Sequence, residues 1–398
     1  MPSPGASAAL RGRKDYFPGA SFGADFTRGR YKLGKRQARN PASLPGWTFT
    51  RASTGYAETA AGALVAFASG APRITDKGLL VEEAGTNLAL GSALTGGTLY
   101  PSNWSVGFNN GSARGPVAST TGAVGAWEQT ALNQREFFQQ TITLAANSTY
   151  TVSVYVEAVT GTTRTLSYCT SLPAGATTGS IFNPSTPGLY TYQVVTAGTA
   201  GTCVLRLGID TSGDMNANAT VRFSRIQFEL GTFPTSYIPT TTASATRAAD
   251  VAYISGLTVT SLHTLYSQIT YGETTTPTCR HATLSDGTAN ERTYLGRASS
   301  GVIQGFTTAG GVTPTSSAPA GALTSGTYKS AVAVGSTTFI CSRSGLIGSA
   351  VANAPPSGMS RLDIGGQPTG STLLNGYVRT VILYPYAYTD AALQALTT

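Results

Sequence analysis

The sequence predicts an all-β protein: two tandem antiparallel β-sandwiches of jelly-roll type, preceded by an irregular basic N-terminal arm and a small β-hairpin unit. Three observations predict it. Charged residues make up only 11% of the chain and glycine supplies 47 of its 398 residues, a composition that suits short strands and turns better than heptad helices. Apolar residues make up 41%, enough to fill real cores. Strand-length runs with period-two alternation recur from Phe138 to Tyr384, separated by turns rich in Gly, Asn, Ser and Asp.

Residues 1–45 read as an arm. Pro2, Pro4, Pro18, Pro41 and Pro45 deny it long regular structure, with Asp25-Phe-Thr-Arg-Gly-Arg-Tyr31 a candidate for one short strand. Residues 46–85 hold the strand-length pieces Trp47–Gly55, Ala61–Phe67 and Gly78–Glu83, cut by Gly and Pro. A hairpin unit this small cannot bury a core alone and must pack on a neighbouring domain or subunit. Residues 86–240 form the first sandwich, with strands over Phe138–Leu144, Tyr150–Val156, Thr163–Cys169, Leu189–Val195, Cys203–Ile209 and Val221–Leu230. In the second of these, Tyr150, Val152, Val154 and Val156 share one face, and Thr151, Ser153 and Tyr155 share the other. That alternation predicts one face on the core and one toward solvent. Residues 241–255 read as a linker. Residues 256–398 form the second sandwich, with strands from Thr264–Tyr271 to Val378–Tyr384. Its terminal helical turn, Thr389–Leu396, is capped by Thr389 or Asp390.

The formal charge of +8 lies wholly in the first 51 residues, which carry ten basic groups against Asp15 and Asp25; the remainder holds 16 of each sign. A basic arm on a neutral body seeks an acidic surface or nucleic acid. Tyr16, Phe17, Phe22, Phe26 and Tyr31 are interleaved with the basic groups but match no recognised nucleic-acid module. Arg11, Arg13, Lys14, Arg28, Arg30, Lys32, Lys35 and Arg36 are the candidates for anchoring. No secretory pattern and no run of 18 apolar residues is present, so synthesis in a cytoplasm and no membrane insertion are expected.

Two histidines and 18 carboxylates leave little material for acid–base or metal chemistry. The carboxylate pairs Glu82–Glu83, Asp210–Asp214 and Asp286–Glu291 are the candidates a glycosidase would need, but the last two sit in glycine-containing turns where Asp is favoured for local hydrogen bonds. Cys279-Arg-His281 offers two metal ligands at most. No catalytic residue, metal or cofactor is expected. Cys169, Cys203, Cys279 and Cys341 form no CxxC pair, and alternation puts Cys203 on one face with Leu205, Leu207 and Ile209 as a buried thiol. Trp104, Trp127, Tyr155, Tyr190 and Tyr192, in a domain rich in Asn, Gln, Thr and Ser, are the candidates for stacking on a sugar ring.

Three segments carry a family resemblance. Phe49-Thr-Arg-Ala-Ser-Thr-Gly … Ala-Pro-Arg73 … Gly78-Leu-Leu-Val-Glu-Glu83 … Thr86-Asn-Leu, with Asp25–Tyr31 upstream, resembles the leader of tailed-bacteriophage fibre and head-spike proteins. Ile226-Gln-Phe-Glu-Leu-Gly … Phe233-Pro-Thr-Ser-Tyr-Ile-Pro-Thr240 … Thr246-Arg-Ala-Ala-Asp250 resembles the last strand and exit of their carbohydrate-binding-module-like jelly roll. Leu374-Asn-Gly-Tyr-Val-Arg-Thr-Val … Thr389-Asp-Ala-Ala-Leu resembles the close of a concanavalin A/laminin-G-like domain. The resemblance implies a virion protein, of tail or head, fastened through its arm to other virion proteins, displaying lectin-like domains to host-surface glycan and assembled as a homotrimer. A capsid-decorating protein without adhesion and a polysaccharide depolymerase are the alternatives. The exit segment reads as a fold marker rather than a binding site.

Overall fold

The computed structural model describes residues 14–97, 100–108, 114–130, 136–161, 166–181, 183–209, 219–271, 278–323 and 325–398. Among them, antiparallel sheets of eleven, six, eight and five strands account for nearly all regular structure, together with one hairpin, one 3-10 turn and one helix. The helix is Asp390–Thr397, with Thr389 accepting from the Ala392 N–H as its N-cap. It is too short to cross a membrane, and no helix among the described residues is long and apolar enough to do so.

The eight- and five-stranded sheets enclose the core of the jelly roll. Period-two alternation does the sorting: Tyr150, Val152, Val154 and Val156 face inward from Thr149–Thr160, and Cys203, Leu205, Leu207 and Ile209 from Gly201–Ile209. All four cysteines are buried and free. Phe138 sits at the centre, with Trp104 and Trp127 edge-on to it at 4.9 and 5.8 Å.

The other two large sheets form the second sandwich, and its strands come from both ends of the chain. The eleven-stranded sheet is built around Gly376–Tyr384. One side of that strand pairs with His263–Tyr271; the other takes Gly78–Val81 against Gly376–Val378 and Phe22–Asp25 against Thr380–Leu383. A side chain at Gly78 would bring its Cβ to 2.4 Å from the Val378 carbonyl oxygen, so only glycine permits that pairing. In the six-stranded sheet Trp47–Thr50 is an edge strand beside Val251–Ser255. Phe22, Phe26, Tyr31, Leu79 and Val81 are packed in one core with Ile254, Leu265 and Val381.

This connectivity corrects the sequence reading of the ends of the domains. Residues 22–38 form three strands, Phe22–Asp25, Arg30–Leu33 and Arg36–Ala38, not an irregular arm; the expected short strand at Asp25–Tyr31 is instead the end of the first, a turn over residues 26–29 and the start of the second. The expected linker holds the strands Ala245–Arg247 and Val251–Ser255. Gly85–Asn87 and Ala245–Arg247 pair with each other, closing a neck through which the jelly roll is inserted into the other sandwich. The two sandwiches are therefore nested rather than strictly tandem.

The hairpin Gly55–Glu58/Leu64–Phe67 lies at the junction of the two, where a buried ionic cluster forms. The Arg51 guanidinium lies 3.2 Å from an Asp250 carboxylate oxygen, and Arg73 reaches Asp250 on one side and Glu82, at 2.7 Å, on the other. Arg247 stands 3.5 Å from Glu82 and 3.8 Å from Asp250. Other guanidinium N–H groups donate to the carbonyls of Ser53, Ala68, Ala71, Tyr56 and Glu83, while Nε of Arg73 and of Arg247 is buried with no hydrogen-bond partner. Burial opposes ionisation of Glu82, but Arg247 and Arg73 outweigh it and hold the carboxyl down at about 2.

Removal of residues 1–38 deletes three paired strands and the burial of Phe22, Phe26 and Tyr31, and is expected to lower the midpoint by more than about 10 °C or to give insoluble protein. A soluble Δ1–38 variant melting with the full-length chain in a thermal denaturation series contradicts this strand assignment.

Candidate functional site

Three of the five aromatic candidates are core residues. Trp104, Trp127 and Tyr192 are almost wholly buried, and the Tyr192 hydroxyl lies 3.2 Å from Ser167 Oγ inside the jelly roll. The physical reason for Trp127 and Tyr192 is register, since each occupies an inward position of its strand; Trp104, just before the strand Ser105–Phe108, packs edge-on to Phe138 in the same core. Tyr190 is half-buried against the same core and donates its hydroxyl to the Thr186 carbonyl at 2.8 Å. Tyr155 is on the outer face as alternation predicts, but the Arg225 guanidinium covers its ring at 4.2 Å. No ring of the five is presented as an open platform.

That outer face of the eight-stranded sheet is not toward solvent, as expected from alternation alone. Thr151 and Ser153 are buried because the hairpin and the exit segment after Leu230 pack over them.

The outer face of the five-stranded sheet is different. The register places Tyr168, Arg206 and Gln139 side by side on three adjacent strands, Ser167–Thr170, Gly201–Ile209 and Glu136–Leu144. Arg206 donates to the Tyr168 hydroxyl oxygen at 2.8 Å and to Gln139 Oε1 at 3.2 Å, and its guanidinium lies 4.6 Å over the Phe137 ring. The three side chains are half-buried and fixed in place by one another. Thr141 and Thr143 extend the same face as exposed hydroxyls. The Tyr168 phenol and the Gln139 amide can hydrogen-bond to vicinal hydroxyls, and the Arg206 guanidinium, which also stands 5.5 Å from the Tyr168 ring, gives the face positive charge.

The candidates for chemistry resolve into structural roles. Glu82 belongs to the buried cluster. Asp286 accepts from the Thr288 N–H, and Glu291 accepts from the Gly310 and Ser357 N–H groups; both carboxylates tie loops. Asp210 and Asp214 lie outside the described residues. Among the described residues no group of three or more His, Cys, Asp or Glu side chains is placed to hold a metal ion. His281 is wholly buried beside the Tyr271 hydroxyl and 3.4 Å from Ser267 Oγ and Ser330 Oγ. His263 is held by the Ser261 carbonyl at 3.1 Å and Thr293 Oγ1 at 3.0 Å.

Of the eight anchoring candidates, Arg11 and Arg13 lie outside the described residues. Lys32 is buried, bonded to Asp15 at 2.6 Å and to the Phe17 carbonyl at 2.7 Å, which removes it from any surface role. Arg28 pairs with Asp25 at 3.4 Å. Lys14, Arg30, Lys35 and Arg36 are exposed, and Arg30 and Arg39 both lie over the Tyr16 ring, at 5.6 and 5.0 Å.

No family model and no curated protein matches the chain. Weak likenesses to solved structures exist, each covering 35% of the chain. The CBM40 module of a Ruminococcus gnavus IT-sialidase has a TM-score of 0.30 at 13% identity, with 84% of that chain covered. A Streptococcus pneumoniae NanB sialidase has 0.30 at 13%, with 24% of that chain covered. A SAP-like pentraxin from Limulus polyphemus has 0.28 at 11%, with 70% covered.

Burial pushes the His263 imidazole down to about 4, and burial with Arg280 and Arg297 pushes His281 down to about 3. Both stay neutral in the fold while the unfolded chain takes up protons below its ordinary value of about 6.5. Stability is therefore lost as pH falls from about 6.5 toward 3, and Glu82 adds to the loss below about 4.5. Burial pushes Glu229 the other way, up to about 7, so its contribution fades as pH rises from about 4.5 through 7. The two histidines outweigh the single carboxyl below about pH 6.5, and the thermal midpoint should drop on acidification from pH 7 to 4, with a shallower drop in His281→Asn. An equal drop in the variant contradicts the assignment of the buried ring as its source.

Proposed function

We propose that the chain is a non-catalytic, glycan-adhesive display protein of a tailed-phage particle. The observation that carries the adhesive reading is the Tyr168–Arg206–Gln139 row, an aromatic, cationic and amide surface pre-arranged on a rigid sheet. Its phenol and amide suit the hydroxyls of a host-surface polysaccharide, and its positive charge favours an acidic sugar over a basic one. Glu82 is held in the buried cluster, and Asp286 and Glu291 tie loops, which favours binding over cleavage.

The virion assignment rests on the sequence resemblance and on the charge distribution. In this reading the exposed Lys14, Arg30, Lys35 and Arg36 around the edge strand Arg36–Ala38 dock on an acidic surface of another virion protein, and Arg11 and Arg13 add to the positive charge of the sequence there. Lys32 takes no part, and Asp25 already holds Arg28.

The test is binding of the full chain to an array of purified lipopolysaccharides, capsular polysaccharides and teichoic acids. Arg206→Ala and Tyr168→Ala should each weaken binding to the responding glycan by about tenfold, equivalent to about 1.4 kcal/mol, with no reducing ends released by the wild type. Unaltered binding in both variants, or depolymerisation of the glycan, contradicts the proposal.

A further inference from the structure

We propose that the cleft at the junction of the two sandwiches binds a neutral pyranose unit, as a second sugar site separate from the Arg206 row. The cleft has a volume of about 170 Å³ and is open to solvent at one side. Its floor is the outer face of the eight-stranded sheet, where Ser153 stands between Thr191 and Gln227 in register. Its walls come from the exit segment, through Phe233 and Pro234, and from the second sandwich, through Leu80 and Tyr377. Leu189, half-exposed, forms the rim. Clefts between domains are a common place for small ligands.

Four features select the ligand. The first is size: about 170 Å³, open to solvent at one side, leaves room for one ring with part of its substituents in solvent rather than for a buried chain. The second is an unmet hydrogen bond. Ser153 is buried, lines the cleft, and its Oγ has no partner, whereas the amide of Gln227 beside it is fully used by Glu229, Thr235 and Ile238. A buried hydroxyl without a partner costs about 1–3 kcal/mol, and a ligand hydroxyl removes that cost while a hydrocarbon does not. The third is the apolar wall. Leu80, Phe233 and Tyr377 suit the C–H face of a pyranose better than a fully hydrated polar molecule.

The fourth is charge. Glu58 and Glu82 both line the cleft, and each is already paired: Glu58 with Arg225 at 2.6 Å and Lys77 at 2.9 Å, Glu82 with Arg73 at 2.7 Å. Arg225 donates to the Gly62 and Thr121 carbonyls at 3.0 Å and leaves only its buried Nε without a partner, a donor that a neutral sugar hydroxyl can also meet. An anionic sugar would meet two carboxylates, and a cationic one would have to displace existing guanidinium partners. A neutral hexose or N-acetylhexosamine disturbs neither pair. The preference is thus opposite to that of the Arg206 row, which favours an acidic sugar. One polysaccharide with both kinds of residue would engage both.

The test is saturation-transfer NMR on the full chain with galactose, N-acetylglucosamine and glucuronate as separate probes. At least one neutral sugar should receive transfer, at more than about threefold the glucuronate signal in Arg206→Ala, which removes the other site. Leu189→Trp, at a half-exposed rim position, should abolish the neutral-sugar signal, and Ser153→Ala, which deletes one oxygen, should weaken that sugar's affinity at least threefold. Absence of transfer to both neutral sugars overturns the proposal, as does transfer that survives Leu189→Trp and Ser153→Ala at wild-type strength. Loss of the neutral signal in Arg206→Ala with no change in Leu189→Trp overturns it by placing the sugar on the outer face. Failure of array binding in Arg206→Ala with the neutral-sugar signal intact leaves the cleft standing and bears on the row alone.

Discussion

The fold turns on one buried cluster of charge. Arg51, Arg73 and Arg247 meet Glu82 and Asp250 at the junction, and all five side chains are out of solvent or nearly so. They come from four stretches of chain: the end of the strand Trp47–Thr50, the turn before Ile74–Thr75, the segment before Gly85–Asn87, and the return segment Ala245–Asp250, which supplies both Arg247 and Asp250. A buried ion pair contributes little net stability against a well-packed apolar alternative, yet removal of one partner costs about 3–5 kcal/mol because the other charges stay behind. Such a cluster acts as a register device: the segments must arrive together or leave several guanidinium groups uncompensated. The hydrogen bonds from the Glu82 N–H to the Asp250 carboxylate at 3.0 Å and from the Asp250 N–H to the Glu82 carbonyl at 3.0 Å tie together the segments that lead into and out of the neck.

From that cluster the rest of the architecture follows. The neck holds the inserted jelly roll to the second sandwich. Asn87 then joins the neck to the last strand, donating to the Ile226 and Ile238 carbonyls and accepting from the Ala89 and Phe228 N–H groups. Tyr237 adds a bond to the Ser92 carbonyl at 3.0 Å. With one face of the jelly roll committed to the junction, the opposite face, bearing Tyr168, Arg206 and Gln139, is the one left to meet a large ligand. The committed face retains only a cleft large enough for one ring.

Much of this was legible in the sequence, because alternation is a local property. The inward sets of Thr149–Thr160 and Gly201–Ile209, the burial of Cys203, and the Thr389 cap all follow from residues near one another in the chain. Pairing across the whole chain is not local, so the strand partnership of Ala24 with Val381 left no mark that composition or period could show. Charge misled for a related reason. Arg51 and Lys32 count toward a basic arm in the sequence, but the fold buries each against Asp250 and Asp15. The aromatic candidates were drawn by residue type, and tryptophan is most often a core residue. The Arg206 row did carry a signal: the alternation that turns Cys203 and Leu205 inward turns Arg206 outward, and the same step turns Tyr168 outward beside Cys169.

Differential scanning calorimetry of the full chain and of Asp250→Ala tests the role of the buried cluster most directly. The wild type should unfold in one cooperative transition, and the variant should melt in two, with the lower transition shifted down and the jelly roll retained to higher temperature. A variant that keeps a single transition at the wild-type midpoint would show that the two sandwiches are held together by something other than this cluster.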